Sequence, residues 1–266
     1  MKPVTVVTLQ AMKRAREKIV CLTGYDYSFA TLLDRAGVDL VMVGDSLGMV
    51  MQGHASTLPV TMDNMVYHSS CVARGLTRAI LVVDMPFLSY QAGPVQAIEN
   101  AGRLMKEGGA QVVKIEGGAP MAETVRFLAE RGIPVCGHLG LTPQSVHRLG
   151  GYSVQGKDAA AAQRIREDAR ILQDAGASLL VLEAVPAALG EGVSSALDIP
   201  VIGIGAGAGC DGQVLVLQDM LGLYPRPSPK FSRNFMPGSA GIEEAVRAYC
   251  DAVRSGTFPG PEQSFG

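Results

Sequence analysis

The chain has 266 residues, 47% of them apolar and only 18% charged, with 32 glycines. Glycine is therefore about 12% of the chain where roughly 7% is usual, without the three-residue period of collagen, and the apolar content excludes disorder. A formal charge of −2, with no basic block longer than Lys13-Arg14, leaves no electrostatic footprint for nucleic acid or an anionic membrane.

At the N-terminus, short apolar pairs alternate with Lys13, Arg14, Arg16, Glu17 and Lys18, so no signal peptide is expected. No apolar run reaches the ~18 residues of a membrane span. The five cysteines, at positions 21, 71, 136, 210 and 250, form no Cys-x-x-Cys pair, which fits free thiols in a reducing compartment. A soluble, cytoplasmic protein is expected. The sparse charge also leaves apolar surface for a subunit interface.

Short runs rich in Val, Ile and Leu then recur along the chain. They are Ile19–Thr23, Asp39–Val43, Ala79–Val83, Gln111–Ile115, Ile133–Cys136, Ser178–Leu182, Ile199–Ile204 and, more weakly, Gln213–Leu217. Unbroken apolarity suits strands buried on both faces, as in a parallel sheet. Helical stretches separate them, most ending at a glycine: Gly37, Gly75, Gly109, Gly132 and Gly176. Glycine there can take the left-handed conformation that stops a helix. Length and some eight such units point to a single domain over 1–266, an α/β TIM (β/α)8 barrel, although a doubly wound sheet shares the local signature. Too few residues lie between Ile204 and Gln213 for a crossover helix. Tyr224 to Pro237 reads as loop, and Ile242 to Val253 as a closing helix.

Five successive runs end in ionisable residues. The second leads into Gly44-Asp45-Ser46, the third into Asp84, the fourth carries Lys114 and ends at Glu116-Gly117-Gly118, the fifth ends in Gly137-His138 and the sixth in Glu183. A barrel places its active site at the C-terminal ends of its strands. Buried charge persists where it binds metal, substrate or another charge. Lys114 and Glu116, two apart, point to the same side. Asp45, Asp84 and Glu116 would form an all-oxygen site suited to Mg²⁺ rather than zinc. Any one acid could instead cap a following helix.

Other features carry less. Gly203-Ile204-Gly205-Ala206-Gly207-Ala208 matches G-x-G-x-x-A, but it follows a late strand and lacks an acid about 20 residues on, so close backbone packing is the better reading. His54, His68 and His147 read as surface or core residues, and Tyr25 and Tyr27 as rim packing. Cys136 lies two before His138 without a third orienting group.

Gly44-Asp45-Ser46-Leu47-Gly48, Gln52-Gly53-His54, Ser56 to Thr61 and Val113-Lys114-Ile115-Glu116-Gly117-Gly118 resemble the ketopantoate hydroxymethyltransferase family. So do Gly137 to Gln144, Leu182-Glu183-Ala184-Val185-Pro186, and Ile202 to Gly207 with Asp211-Gly212-Gln213, in a likeness that runs from Tyr25 to Phe258-Pro259-Gly260. The resemblance implies a barrel of the phosphoenolpyruvate-binding superfamily, assembled as a homodecamer of two pentamer rings. It implies transfer of a hydroxymethyl group from 5,10-methylenetetrahydrofolate to 3-methyl-2-oxobutanoate, giving 2-dehydropantoate on the route to pantothenate and coenzyme A. By the same resemblance Asp45 and Asp84 ligate Mg²⁺ with Glu116 in its near shell. Ser46, Lys114 and His138, with Asp45 and Asp84, hold the keto acid, and Glu183 is the base. A 2-oxo acid can chelate Mg²⁺, which stabilises an enolate oxygen as a Lewis acid. The rival reading is an isocitrate-lyase-type C–C or C–P lyase of the same superfamily; such lyases usually carry a loop cysteine, whereas Gly117-Gly118-Ala119-Pro120 stands after the fourth run here.

Overall fold

A computed structural model describes residues 2–266. The apolar runs become eight strands: β1 (Ile19–Thr23), β2 (Leu40–Val43), β3 (Ile80–Asp84), β4 (Val112–Glu116), β5 (Val135–Gly140), β6 (Leu179–Glu183), β7 (Val201–Ile204) and β8 (Gly212–Leu215). Each pairs in parallel with its sequence neighbours and β8 returns to β1, so the sheet closes into a barrel rather than an open doubly wound sheet. Several strands run one to four residues further than their apolar runs, so Asp84, Glu116, His138 and Glu183 lie inside strands rather than after them.

Alternation decides what faces where. Val20, Leu22, Val41, Val43, Leu81, Val83, Val113 and Ile115 point outward into the layer shared with the helices. Ile19, Cys21, Leu40, Met42, Ile80, Val82, Val112, Cys136, Leu179 and Val181 point inward and fill the barrel's lower layers. Val4 and Leu9, on and just before the helix Val6–Ala15, join this inner cluster and close its floor. Following the inward positions upward, Ile80-Val82-Asp84, Val112-Lys114-Glu116, Cys136-His138 and Leu179-Val181-Glu183 each pass from apolar to ionisable. The two-residue period of a strand thus delivers the chemistry to one end of the barrel.

The helices follow the expected physics. The helix Tyr27–Ala36 starts where the Asp26 carboxylate accepts from Phe29 N at 2.9 Å and stops at Gly37, left-handed at φ 96°. The closing helix Ile242–Arg254 buries Ala245, Val246, Tyr249, Cys250 and Val253, one stripe at helical spacing. Gly75 departs from the expectation of a left-handed stop. It lies inside the helix Met62–Gly75, where a Cβ would meet Tyr27 O at 2.7 Å, so it lets two helices approach. As anticipated, no helix spans β7 and β8: Gly205 to Asp211 cover the distance, held by Lys18 Nζ donating to Ala208 O and Cys210 O. Among the described residues no helix is long and apolar enough to cross a membrane.

Candidate active site

The inward ionisable residues meet in one cavity of about 640 Å³ at the C-terminal ends of the strands. Asp45, Ser46, Asp84, Lys114, Glu116, His138 and Glu183 all line it, so the structure brings together every site residue expected from the sequence. Parallel pairing sets their order: Asp84 stands beside Lys114, and Glu116 beside His138. None of the acids caps a helix. The short helix Leu47–Val50 begins at Ser46, and Pro186 precedes the helix Ala187–Ala196.

Lys114 and Asp84 form an ion pair at 2.7 Å with each side chain 4% exposed. Burial works against the Lys114 ammonium, but Asp84, Glu116 and Asp45 outweigh it and raise its pKa. Burial, with Asp84 and Glu116 nearby, pushes the Asp45 carboxyl well above the usual carboxylate range. One lysine does not balance so many acids, and that shortage of positive charge is what a cation would relieve. Asp84 Oδ1 and Glu116 Oε1 are buried without hydrogen-bond partners, while Asp84 Oδ2 also accepts from Asp45 N at 3.1 Å. Among the described residues no three His, Cys, Asp or Glu side chains close into a protein-only metal cage. Mg²⁺ does not need one, because it is usually held by one or two carboxylates and keeps waters or substrate oxygens for its other positions. The donor set fits that ion.

His138 lies between two acids, Nδ1 at 3.4 Å from Glu116 Oε1 and Nε2 at 3.2 Å from Glu183 Oε2. Burial and Lys114 disfavour its charged form, yet the two carboxylates hold its pKa up at about 9. Glu183 keeps 14% exposure and opens to the cavity. Cys136, in the layer below, is buried with its thiol pushed up to about 12 by that burial, so it remains protonated and is not a nucleophile.

Three supporting residues were not expected in the site from the sequence. Gln144 Nε2 donates to Asp45 Oδ2 at 2.9 Å and to Met85 O at 2.9 Å. Its Oε1 accepts from Tyr90 Oη at 2.7 Å and Gln91 Nε2 at 3.1 Å, and its backbone N donates to Glu116 Oε2 at 3.0 Å. Tyr90 Oη in turn accepts from Glu116 N at 3.1 Å. Tyr25, expected as rim packing, instead places its hydroxyl 2.8 Å from Ser46 Oγ. Uncharged side chains 21 to 99 residues from their partners leave no local pattern; of the three, Gln144 alone lies inside one of the motifs that resemble the family.

The glycines of the strand ends mostly serve packing rather than the ligand. A Cβ on Gly118 would strike Asp168 and one on Gly205 would strike Phe231, whereas one on Gly44 would meet site atoms, Ser46 Oγ at 2.8 Å and Asp84 Oδ2 at 3.5 Å. Gly203 to Ala208 is likewise a close-packed connection, with Gln213 Nε2 donating to Gly207 O at 3.0 Å. His54 and His147 are exposed, and His68 Nδ1 lies 2.7 Å from Tyr25 O.

A family model described as ketopantoate hydroxymethyltransferase matches residues 3–261. The 3-methyl-2-oxobutanoate hydroxymethyltransferase of Methylobacillus flagellatus is 63% identical over 260 residues, covering 98% of this chain and 99% of that one. The enzyme of the same name from Halorhodospira halophila is 58% identical, covering 98% and 94%. Among solved structures, 2,3-dimethylmalate lyase, a PEP mutase/isocitrate lyase superfamily member, superposes with a TM-score of 0.59 at 14% identity, covering 98% of this chain and all of that one. At that identity the likeness carries the barrel alone.

Proposed function

This chain belongs to the ketopantoate hydroxymethyltransferase family, and from that premise we propose that it transfers a hydroxymethyl group from 5,10-methylenetetrahydrofolate to 3-methyl-2-oxobutanoate, giving 2-dehydropantoate. The observation that carries the reading is the buried Lys114–Asp84 pair, with Asp84 Oδ1 and Glu116 Oε1 making no hydrogen bond, on the wall of one cavity.

Asp45 and Asp84 would hold Mg²⁺, with Glu116 close by and fixed by Gln144 N. When bound, the ion supplies a Lewis acid to the carboxylate and carbonyl oxygens of a 2-oxo acid. Ser46, oriented by Tyr25, and His138 and Lys114 orient the keto acid. Glu183, open to the cavity, takes the proton from the carbon next to the ketone, a role worth 10²–10⁴-fold. Negative charge then gathers on the ketone oxygen, where the Lys114 ammonium would offset it. The nucleophile is that substrate carbon, which bonds to the carrier's methylene carbon. Both carbon–nitrogen bonds to the carrier break with the nitrogens taking up protons, and water supplies the hydroxyl, so no activated serine or cysteine is required. The cavity is larger than a five-carbon acid needs, which leaves room for the carrier of the one-carbon unit.

The unit of function is one barrel domain over 1–266, acting as a homodecamer in the cytoplasm. The exposed Val7, Tyr67, Leu88 and Val95 give apolar surface that subunit contacts would cover. The test is conversion of 3-methyl-2-oxobutanoate by the purified protein with 5,10-methylenetetrahydrofolate, with Mg²⁺ present and then chelated. Folate-dependent product that disappears on chelation is expected. Cleavage of a 2-hydroxy diacid or a phosphonate in place of that reaction would instead establish the lyase reading.

A further inference from the structure

One buried acid in the cavity is not used by the keto-acid chemistry. Asp219 lies after β8, in the helical turn Leu217–Met220, whose first amide is tied to the top of β1 by Leu217 N donating to Thr23 Oγ1 at 2.9 Å. It lines the same cavity as Asp45 and Glu183 and is only 6% exposed. Among the described residues no hydrogen bond or ion pair reaches its carboxylate, and Oδ1 is buried without a partner. Burial pushes its pKa up to about 6. Nearby on the chain Tyr224 also lines the cavity, and its hydroxyl too is buried and unpartnered. Folding alone does not place two orphaned polar groups on a ligand cavity, because each loses its water without compensation.

Position narrows the ligand. In a closed barrel of eight strands β8 stands opposite β4, so Asp219 rises across the mouth from Lys114 and Glu116. Met49, Val50, Tyr152 and Phe231 line the same cavity and give it apolar surface, with Arg226 and Lys230 also on its wall. An aromatic heterocycle suits such walls, and a carboxylate at their end suits a pair of parallel N–H donors on its edge. We propose that Asp219 recognises the one-carbon carrier by accepting the 2-amino group and adjacent ring N–H of its 2-amino-4-oxopteridine, with Tyr224 Oη as a neighbouring contact. The proposal rests on the hydroxymethyl-transfer reading and assigns the carrier's ring end to the β8 side of the mouth.

The experiment compares wild type with Asp219→Asn and Asp219→Ala, each in Mg²⁺. Three quantities are measured: the KM for 5,10-methylenetetrahydrofolate, calorimetric binding of tetrahydrofolate, and folate-free proton exchange of 3-methyl-2-oxobutanoate. Both variants should raise the folate KM and Kd at least tenfold and leave exchange within twofold of wild type. Wild type should also reject a 2-desamino-2-methyl tetrahydrofolate that the variants no longer distinguish. Thermal unfolding checks that the near-isosteric Asp219→Asn is folded. Unchanged folate KM and selectivity with intact exchange overturns the Asp219 assignment alone, and loss of exchange with unchanged folate binding overturns it in favour of a keto-acid role. Absence of both exchange and folate binding in wild type overturns the transfer reading and this inference with it.

Discussion

Gln144→Leu tests whether the amide is what holds Asp45 in place. Gln144 has two amide donors and two acceptor positions, and all four are used, by Asp45, Met85 O, Tyr90 and Gln91. Leucine keeps the shape and removes all four bonds, while the Gln144 backbone bond to Glu116 survives. Neutral buried hydrogen bonds are worth about 1 kcal/mol net and one to a carboxylate about 1.5–3. With partial relaxation the folded state should lose about 3–5 kcal/mol, read as a lower urea midpoint at unchanged slope. If the Asp45 bond fixes a metal-holding carboxylate, its 1.5–3 kcal/mol also appears in turnover, as a roughly 10–100-fold lower kcat with a raised Mg²⁺ requirement. Steady-state rates across a Mg²⁺ titration measure both. A variant with lowered stability but wild-type kcat and Mg²⁺ dependence would show that Gln144 is only a structural tie and refute the argument.

Glu183→Gln should cut proton exchange of 3-methyl-2-oxobutanoate by 10²–10⁴-fold while calorimetric keto-acid binding persists; unimpaired exchange would remove Glu183 as the base. Asp45→Ala and Asp84→Ala should each lose Mg²⁺-dependent turnover, and full activity of either at low Mg²⁺ would break the ligand assignment. Asp34→Asn addresses folding rather than catalysis. The Asp34 carboxylate accepts from Thr77 N, Arg78 N and Ala79 N at the entry to β3, and these bonds outweigh burial and lower its pKa from 3.8. A carboxyl lowered in the folded state contributes stability that is full above the unfolded pKa, about 3.9, and fades as pH falls through the folded value. The variant should therefore be about 1.5–3 kcal/mol less stable at pH 7, with the gap narrowing only below about pH 4. A gap independent of pH down to 2 would contradict that assignment.

The barrel was legible because its strands are buried on both faces and read as unbroken apolar runs, each ahead of or behind a turn the chain marks with glycine. The ionisable residues stood out because they interrupt those runs at one end, as Lys114 does between Val113 and Ile115. What the sequence hides are contacts between residues far apart in the chain, and burial itself. Nothing local distinguishes Gln144 from a surface glutamine, and Asp219 resembles any acid in a short helical turn until its burial is seen. Gly75 shows the converse limit: the residue type was informative, but a glycine that stops a helix and one that lets a second helix close in have the same one-letter signature.

The inward alternation also sets which changes this protein can survive. Because β4 presents Val112, Lys114 and Glu116 on one side and Val113 and Ile115 on the other, a one-residue insertion or deletion below Lys114 would exchange the two sides. The ammonium and carboxylate would be driven among the helices, and aliphatic groups would fill the catalytic mouth. A two-residue change keeps the sides and moves the chemistry by one layer instead. Point substitutions at the topmost inward positions avoid both penalties, since the layers beneath them are built from other residues. Divergent chemistries on this barrel should therefore arise by replacement at the strand tips and by loop exchange, with strand length held fixed in steps of two.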